Sequence, residues 1–128
     1  MHNDTPSILL VEEDETLADI TAFRLELLGY RVSQARSGEA ALQSAHELAP
    51  ELMIVDLYLP GIDGIELINR LRSDNATAAI PVMVFSIDSD LNIVANAFAA
   101  GANDYLMTPY DPAVLQEKIA KLLDNVKV

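Results

Sequence analysis

Apolar positions along this chain alternate between short solid runs and longer periodic ones. Three runs are solid: Ile8-Leu9-Leu10-Val11, Leu52-Met53-Ile54-Val55 and Val82-Met83-Val84-Phe85, the last preceded by Pro81. A strand with one wet face alternates, so solid runs predict strands covered on both faces, as in a parallel sheet between helical layers. Arg31 to Ala35 is less apolar and predicts a second strand at an edge; Asp104 to Met107 predicts a fifth. Between the strands the spacing becomes helical. Thr16 to Leu28 carries Leu17, Ile20, Phe23 and Leu27 at steps of three, three and four, and Gly29 stops it. Gly38 to Leu48 predicts a second helix, capped by Ser37 and closed before Pro50. Asp63 or Gly64 opens a third, with Ile65, Ile68 and Leu71, ending near Asp74-Asn75. Asp88 to Ala100 predicts an Ala-rich fourth helix ended by Gly101. Pro112 to Leu123 predicts the last, with Leu115, Ile119, Leu122 and Leu123 on its inner face.

Five strand–helix units with right-handed crossovers predict an open α/β sheet, doubly wound and flavodoxin-like, of strand order 2-1-3-4-5. The length of 128 residues suits a single domain, 1–128, with its core at about 7–123. In such sheets ligands bind beyond the carboxyl ends of the strands, at the switch point between strands one and three. Glu12 and Glu13 directly follow the first run, and Asp56 directly follows the third strand. The topology therefore gathers three carboxylates on one rim, where their charge is costly unless a cation or a proton relieves it.

Each of these acids has two readings. Asp56 precedes Leu57-Tyr58-Leu59-Pro60-Gly61, so it reads as a polar strand end before a Pro-Gly turn. It also reads as a nucleophilic or metal-binding carboxylate on a rigid strand. Acids before a helix favour its positive end, which accounts for Asp14 and Glu15, with Asp14 or Thr16 as the N-cap. Glu12 and Glu13 are oxygen donors in a chain without cysteine, a set that suits a hard cation such as Mg²⁺. Ser86 and Thr108 close the fourth and fifth strands and put two hydroxyls on the same rim, within the chemistry needed to bond a phosphoryl oxygen.

Composition narrows the classes. Hydrophobic residues make up 51% of the chain, which argues against disorder. No cysteine means no disulfide framework and no thiolate site. No apolar stretch approaches the roughly 20 residues of a membrane span. Met1 to Pro6 is polar and lacks a signal-peptide core, so the expected compartment is the cytoplasm. The net charge is −12 and the eight Lys and Arg residues form no stripe, which disfavours direct nucleic-acid binding. His2 and His46 have no acid or histidine at ligand spacing and read as surface residues.

The motifs ILLVEEDE, VDLYLPGIDG, VMVFS and GANDYLMTPY, in that order from Ser7 to Leu123, resemble the response-regulator receiver domain, the CheY-like phospho-acceptor of two-component signalling. The resemblance implies that Asp56 accepts a phosphoryl group from a histidine kinase or a histidine phosphotransfer protein. It implies Mg²⁺ (or Mn²⁺) against Asp56, Glu13 and the backbone carbonyl of Tyr58, with Glu12 holding it through water. Ser86 matches the switch hydroxyl and Tyr105 the switch aromatic. Such a domain is not an enzyme, apart from catalysing its own phosphorylation and dephosphorylation. The fourth helix, fifth strand and fifth helix, with Ile93, Val94, Ala97, Phe98 and Tyr105, would form the face read by a downstream effector or a fused output domain. Core packing is the favoured reading of Ile93, Val94 and Phe98, and dimerisation through this face stays open. No DNA-binding or enzymatic module follows the last helix, so the expectation is a receiver that stands alone or is cut from a longer protein.

Three positions depart from the pattern. Glu13 stands where Asp is usual, Thr108 where Lys is usual, and Ile87 where a small residue is usual. The extra methylene of Glu13 moves a ligand outward in a shell that demands near-ideal geometry at about 2 Å. Thr108 donates a hydrogen bond but carries no charge. The expectation is an Asp56 that is phosphorylated slowly or couples weakly to the output face. The alternative is a pseudo-receiver, a protein-interaction module independent of phosphorylation. A small metal-dependent phosphoesterase lacks a dedicated general base here. A flavin module lacks a phosphate loop after the first strand, where Glu12 and Glu13 would repel phosphate.

Overall fold

Strands β1 (Ser7–Val11), β2 (Arg31–Ala35), β3 (Leu52–Asp56), β4 (Val82–Ser86) and β5 (Asp104–Met107) pair in parallel in the order β2-β1-β3-β4-β5. The computed structural model describes residues 5–127, with side chains through Asp124; His2 lies outside the described residues. The three solid apolar runs are the three central strands, and β2 lies at an edge, as their composition requires. Helices α1 (Glu15–Leu27), α2 (Gly38–Leu48), α3 (Gly64–Ser73), α4 (Leu91–Ala100) and α5 (Pro112–Lys127) cover both faces. On one face Leu9, Met53, Val55 and Val84 pack against α2, α3 and α4 through residues such as Ala41, Leu67 and Ala97. On the other, Ile8, Leu10, Ile54 and Met83 meet α1 and α5 through Leu25, Leu115 and Ile119.

Caps set the helix starts. The carboxylates of Asp14, Asp63 and Asp90 and the hydroxyl of Ser37 each accept a backbone N–H in the first turn of the helix that follows. This shifts one boundary. The fourth helix begins at Leu91, not at Asp88, because Asp90 is the cap and the Asp88 carboxylate accepts the Asp90 N–H at 2.9 Å from the loop. At the other end, α5 runs past Leu123 to Lys127.

Two packing expectations are overturned. The α1 residues whose spacing marked the helix face solvent: Leu17 is 54% exposed, Ile20 45%, Phe23 61% and Leu27 71%. Ala18, Ala22 and Leu25 make the inner face instead. Small residues let α1 lie close to the sheet, and the larger ones are left outside. In α4, Ile93 packs against the core and Val94 is half-buried, but Phe98 is 44% exposed and is not core; Ala97 takes the inner position.

Candidate functional site

Register brings the acids together. Val11 on β1 pairs with Val55 on β3, so the next residues, Glu12 just past β1 and Asp56 at the last position of β3, stand side by side. Both are half-buried, and burial raises both carboxyls above their usual range. The two carboxyls hydrogen-bond each other and titrate as one pair. Glu13 is exposed and adds its field to Asp56 from outside. The three predicted acids thus share a rim, but two of them form the pair and one stands off. Among the described residues no three acidic or histidine side chains assemble as a ready metal cage.

The donor set nonetheless suits a hard divalent cation. It offers oxygen only, and the Glu12–Asp56 pair concentrates acidic groups that none of the ion pairs among the described residues involves. Mg²⁺ takes one or two carboxylates and keeps several waters, so a three-carboxylate cage is not required.

The loop behind Asp56 is fixed by backbone demands. The Asp56 carboxylate accepts the Tyr58 N–H at 3.2 Å. Gly64 opens α3 directly beneath this turn; a Cβ there would stand 2.7 Å from the Asp56 carbonyl oxygen, so only glycine lets the helix approach. Gly61 takes a left-handed φ of 71°, as the Pro-Gly turn predicts.

Ser86 ends β4 nearly buried, at 3% exposure, and faces the same cavity as Asp56. Its Oγ accepts the Asp88 N–H at 3.0 Å, and its own proton makes no bond among the described residues. Thr108 reaches the same rim, followed by a cis bond to Pro109, and its backbone N–H is spent on the Ser86 carbonyl at 2.9 Å. The third predicted group, Tyr105, is half-buried against the α3–α4 side of the core, and its phenol donates to the Asp88 carbonyl at 2.8 Å.

Asp88 is the residue that strand and helix spacing missed. Its carboxylate accepts the Tyr58 phenol at 2.6 Å while its carbonyl holds Tyr105, so one loop residue ties the turn after Asp56 to β5. That bond pushes the Tyr58 phenol up to about 12 and draws the Asp88 carboxyl down. Only the tertiary fold brings Tyr58 and Asp88 together. A groove of about 750 Å³ leads from Asp56 and Ser86 along α1. At its far end the Tyr110 ring packs on Phe85, 5.4 Å between centroids, and the Arg24 guanidinium lies 5.8 Å above Tyr110.

Comparison with known proteins agrees with this geometry. Residues 8–120 match the family described as Response regulator receiver domain. The chain is 36% identical over 118 residues to the DNA-binding dual master transcriptional regulator RpaA of Synechocystis, a match covering 92% of this chain and 49% of that protein. It spans about half the length of the other curated regulators it matches as well. Among solved structures, the signal receiver domain of a signal transduction histidine kinase from Syntrophus aciditrophicus superposes with a TM-score of 0.89 at 32% identity, covering 96% of this chain and 93% of that one. The receiver domain of the sensor histidine kinase PA1611 from Pseudomonas aeruginosa superposes with a TM-score of 0.87 at 28% identity, covering 94% and 98%; that structure holds a magnesium ion in its active site cleft. No helix among the described residues is long and apolar enough to cross a membrane.

Proposed function

This chain belongs to the response regulator receiver domain family, and on that premise we propose that Asp56 accepts a phosphoryl group from a histidine kinase or histidine phosphotransfer protein. One observation carries the reading: the Asp56 carboxyl, paired with Glu12, stands in an open mouth with the Ser86 hydroxyl facing the same cavity. In the transfer, an Asp56 oxygen forms the new bond to phosphorus as the bond from phosphorus to the donor's imidazole nitrogen breaks. The imidazole leaves with the bonding pair and takes up a proton, and an aspartyl phosphate remains. Ser86 donates its proton to a phosphoryl oxygen, its orientation set by the Asp88 N–H on its lone pair. Asp56, the Tyr58 carbonyl, Glu13 and, through water, Glu12 are the groups to hold Mg²⁺ or Mn²⁺, which supplies charge neutralisation for the transferring group.

The exposed stripe of α1 beside the mouth supports a docking role for the donor. Apolar side chains at i, i+3 and i+4 spacing on a helix face suit a partner helix. Phosphorylation would be read at α4, β5 and α5, where Leu91, Phe98 and Met107 are exposed and Tyr105 is held by the Asp88 loop. The domain so read is a switch rather than an enzyme with turnover on a separate substrate, and the protein that reads it is an effector or a fused output domain.

A second reading, a phosphorylation-independent interaction module, draws support from the exposure of Glu13 and the uncharged Thr108. Amide NMR during incubation with Mg²⁺ and acetyl phosphate separates the two. Phosphorylation shifts Asp56 and Ser86 and, beyond the site, Ala97 and Tyr105. An unchanged spectrum from folded protein leaves only the interaction module.

A further inference from the structure

The groove along α1 ends on negative charge that no basic side chain among the described residues meets in an ion pair. Arg24 is the only basic residue lining it among those described, and it is held by Tyr110, whose hydroxyl accepts from it at 3.2 Å. Arg24 lies seven residues beyond Leu17, about 10 Å along the helix, while Glu12, Asp56 and Thr108 stand at the strand ends. Thr108 brings no charge, and its N–H already bonds the Ser86 carbonyl. Ile20, Phe85, Ile87, Pro109 and Tyr110 make the walls apolar. The groove therefore has a negative end, an apolar length and, among the described residues, no cation at its negative end.

We infer that this groove receives a lysine or arginine side chain from the docking protein, its stem along Ile20, Ile87 and Tyr110 and its charged head beside Asp56 and Thr108. Long basic side chains bury an apolar stem while keeping the head in polar surroundings, which matches both parts of the groove. A guanidinium also fits a carboxylate with two parallel bonds. An anionic occupant meets the Glu12–Asp56 pair with like charge, and a purely apolar one desolvates that pair without a partner. A second copy of this chain brings another net charge of −12. The inference rests on the donor-docking reading only for the identity of the partner; the chemistry of the groove stands without phosphoryl transfer.

The test is a metal-free NMR titration of the full chain with four probes: Nα-acetyl-arginine N-methylamide, its norleucine counterpart, n-butylguanidinium and guanidinium. The blocked arginine should shift the amides of Ile20, Ser86, Ile87 and Thr108 and bind at least about tenfold tighter than norleucine or bare guanidinium. Thr108→Lys, which fills the place from within, should lose that tenfold, and Ile20→Ser should lose part of it. Preserved amide dispersion confirms that each variant is folded. Equal binding of all four probes, shifts confined to other surfaces, or full affinity in folded Thr108→Lys overturns the inference. A groove that takes n-butylguanidinium but refuses the blocked arginine overturns its protein source. Acetyl phosphate labelling of Asp56 is read separately, so either claim can fail alone.

Discussion

Helices α1 and α5 cover the same face of the sheet, yet they spend their apolar residues differently. In α5 the periodic stripe faces inward: Leu115 is 1% exposed, Ile119 0%, and Leu122 and Leu123 are buried beside them. In α1 the stripe that reads as periodic faces outward, and the contact with the sheet is made by Ala18, Ala22 and Leu25. Periodicity reports that a helix has an apolar side; it does not report which neighbour that side meets. A helix with apolar residues on two sides turns its small side to the core and keeps the large side for something else. Here that side borders the acidic mouth, and this is why α1 belongs to function while α5 on this face belongs to stability.

The comparison breaks most visibly at the inner positions. Leu25→Ala in α1 and Ile119→Ala in α5 should each cost about 2–5 kcal/mol, since each leaves a cavity in one shared core. Urea unfolding measures both, and a small loss at Leu25 would mean that α1 is not held as described. Next in size is the metal. Mg²⁺ at a hundredfold excess over its Kd should stabilise the wild type by about 2.7 kcal/mol, and Asp56→Asn should abolish most of that gain. Without metal, Asp56→Asn should raise the melting temperature at neutral pH. The raised carboxyls of Glu12 and Asp56 make their contribution fully present at low pH and lost as pH rises through their folded values. Thermal melts with and without Mg²⁺ or chelator check both statements.

At the outer positions the effect on stability should nearly vanish while the effect on the partner stays. Ile20→Ser and Leu27→Ser should change unfolding free energy by no more than about 0.5 kcal/mol. They should slow phosphotransfer from the donor protein but not labelling by acetyl phosphate, which needs no docking. Equal loss with both donors would remove the docking role from α1.

The smallest effect lies on the opposite face, which serves as a control. His46 on α2 contacts the Leu42 carbonyl at 2.9 Å and the Asp74 carboxylate at 2.7 Å, and since both partners accept, these contacts favour the doubly protonated ring. The carbonyl and the carboxylate raise the imidazole above 6.5, and Asp74 is lowered below 3.8, first by the Ala76 N–H. The histidine's contribution is therefore full below its unfolded value and fades as pH rises through its folded one; that of Asp74 fades as pH falls through its lowered value. Imidazole NMR should place the His46 midpoint above 6.5, returning toward it in Asp74→Asn, with no change in Asp56 labelling.

The sequence shows the sheet most clearly because a strand covered on both faces leaves a solid apolar run, and ILLV, LMIV and VMVF leave little choice. Strand order then follows from crossover handedness, and the meeting of Glu12 with Asp56 from strand order. What stays hidden is contact between loops. Nothing in the spacing pairs Tyr58 with Asp88, Arg24 with Tyr110 or His46 with Asp74, since loop paths depend on the finished fold. Glu13 illustrates the limit from the other side: its neighbour Glu12 pairs with Asp56, and Glu13 itself is exposed. The face of α1 was hidden too, because alanines that fit closely carry too little hydrophobic signal beside leucines that do not.

The central claim is that Asp56 takes a phosphoryl group. Folded wild type, Asp56→Asn and Glu12→Gln are incubated with Mg²⁺ and acetyl phosphate and weighed intact. One added phosphate is expected on the wild type, dependent on the metal, and none on Asp56→Asn. A wild type that gains nothing, or an Asp56→Asn protein that gains as much, contradicts it.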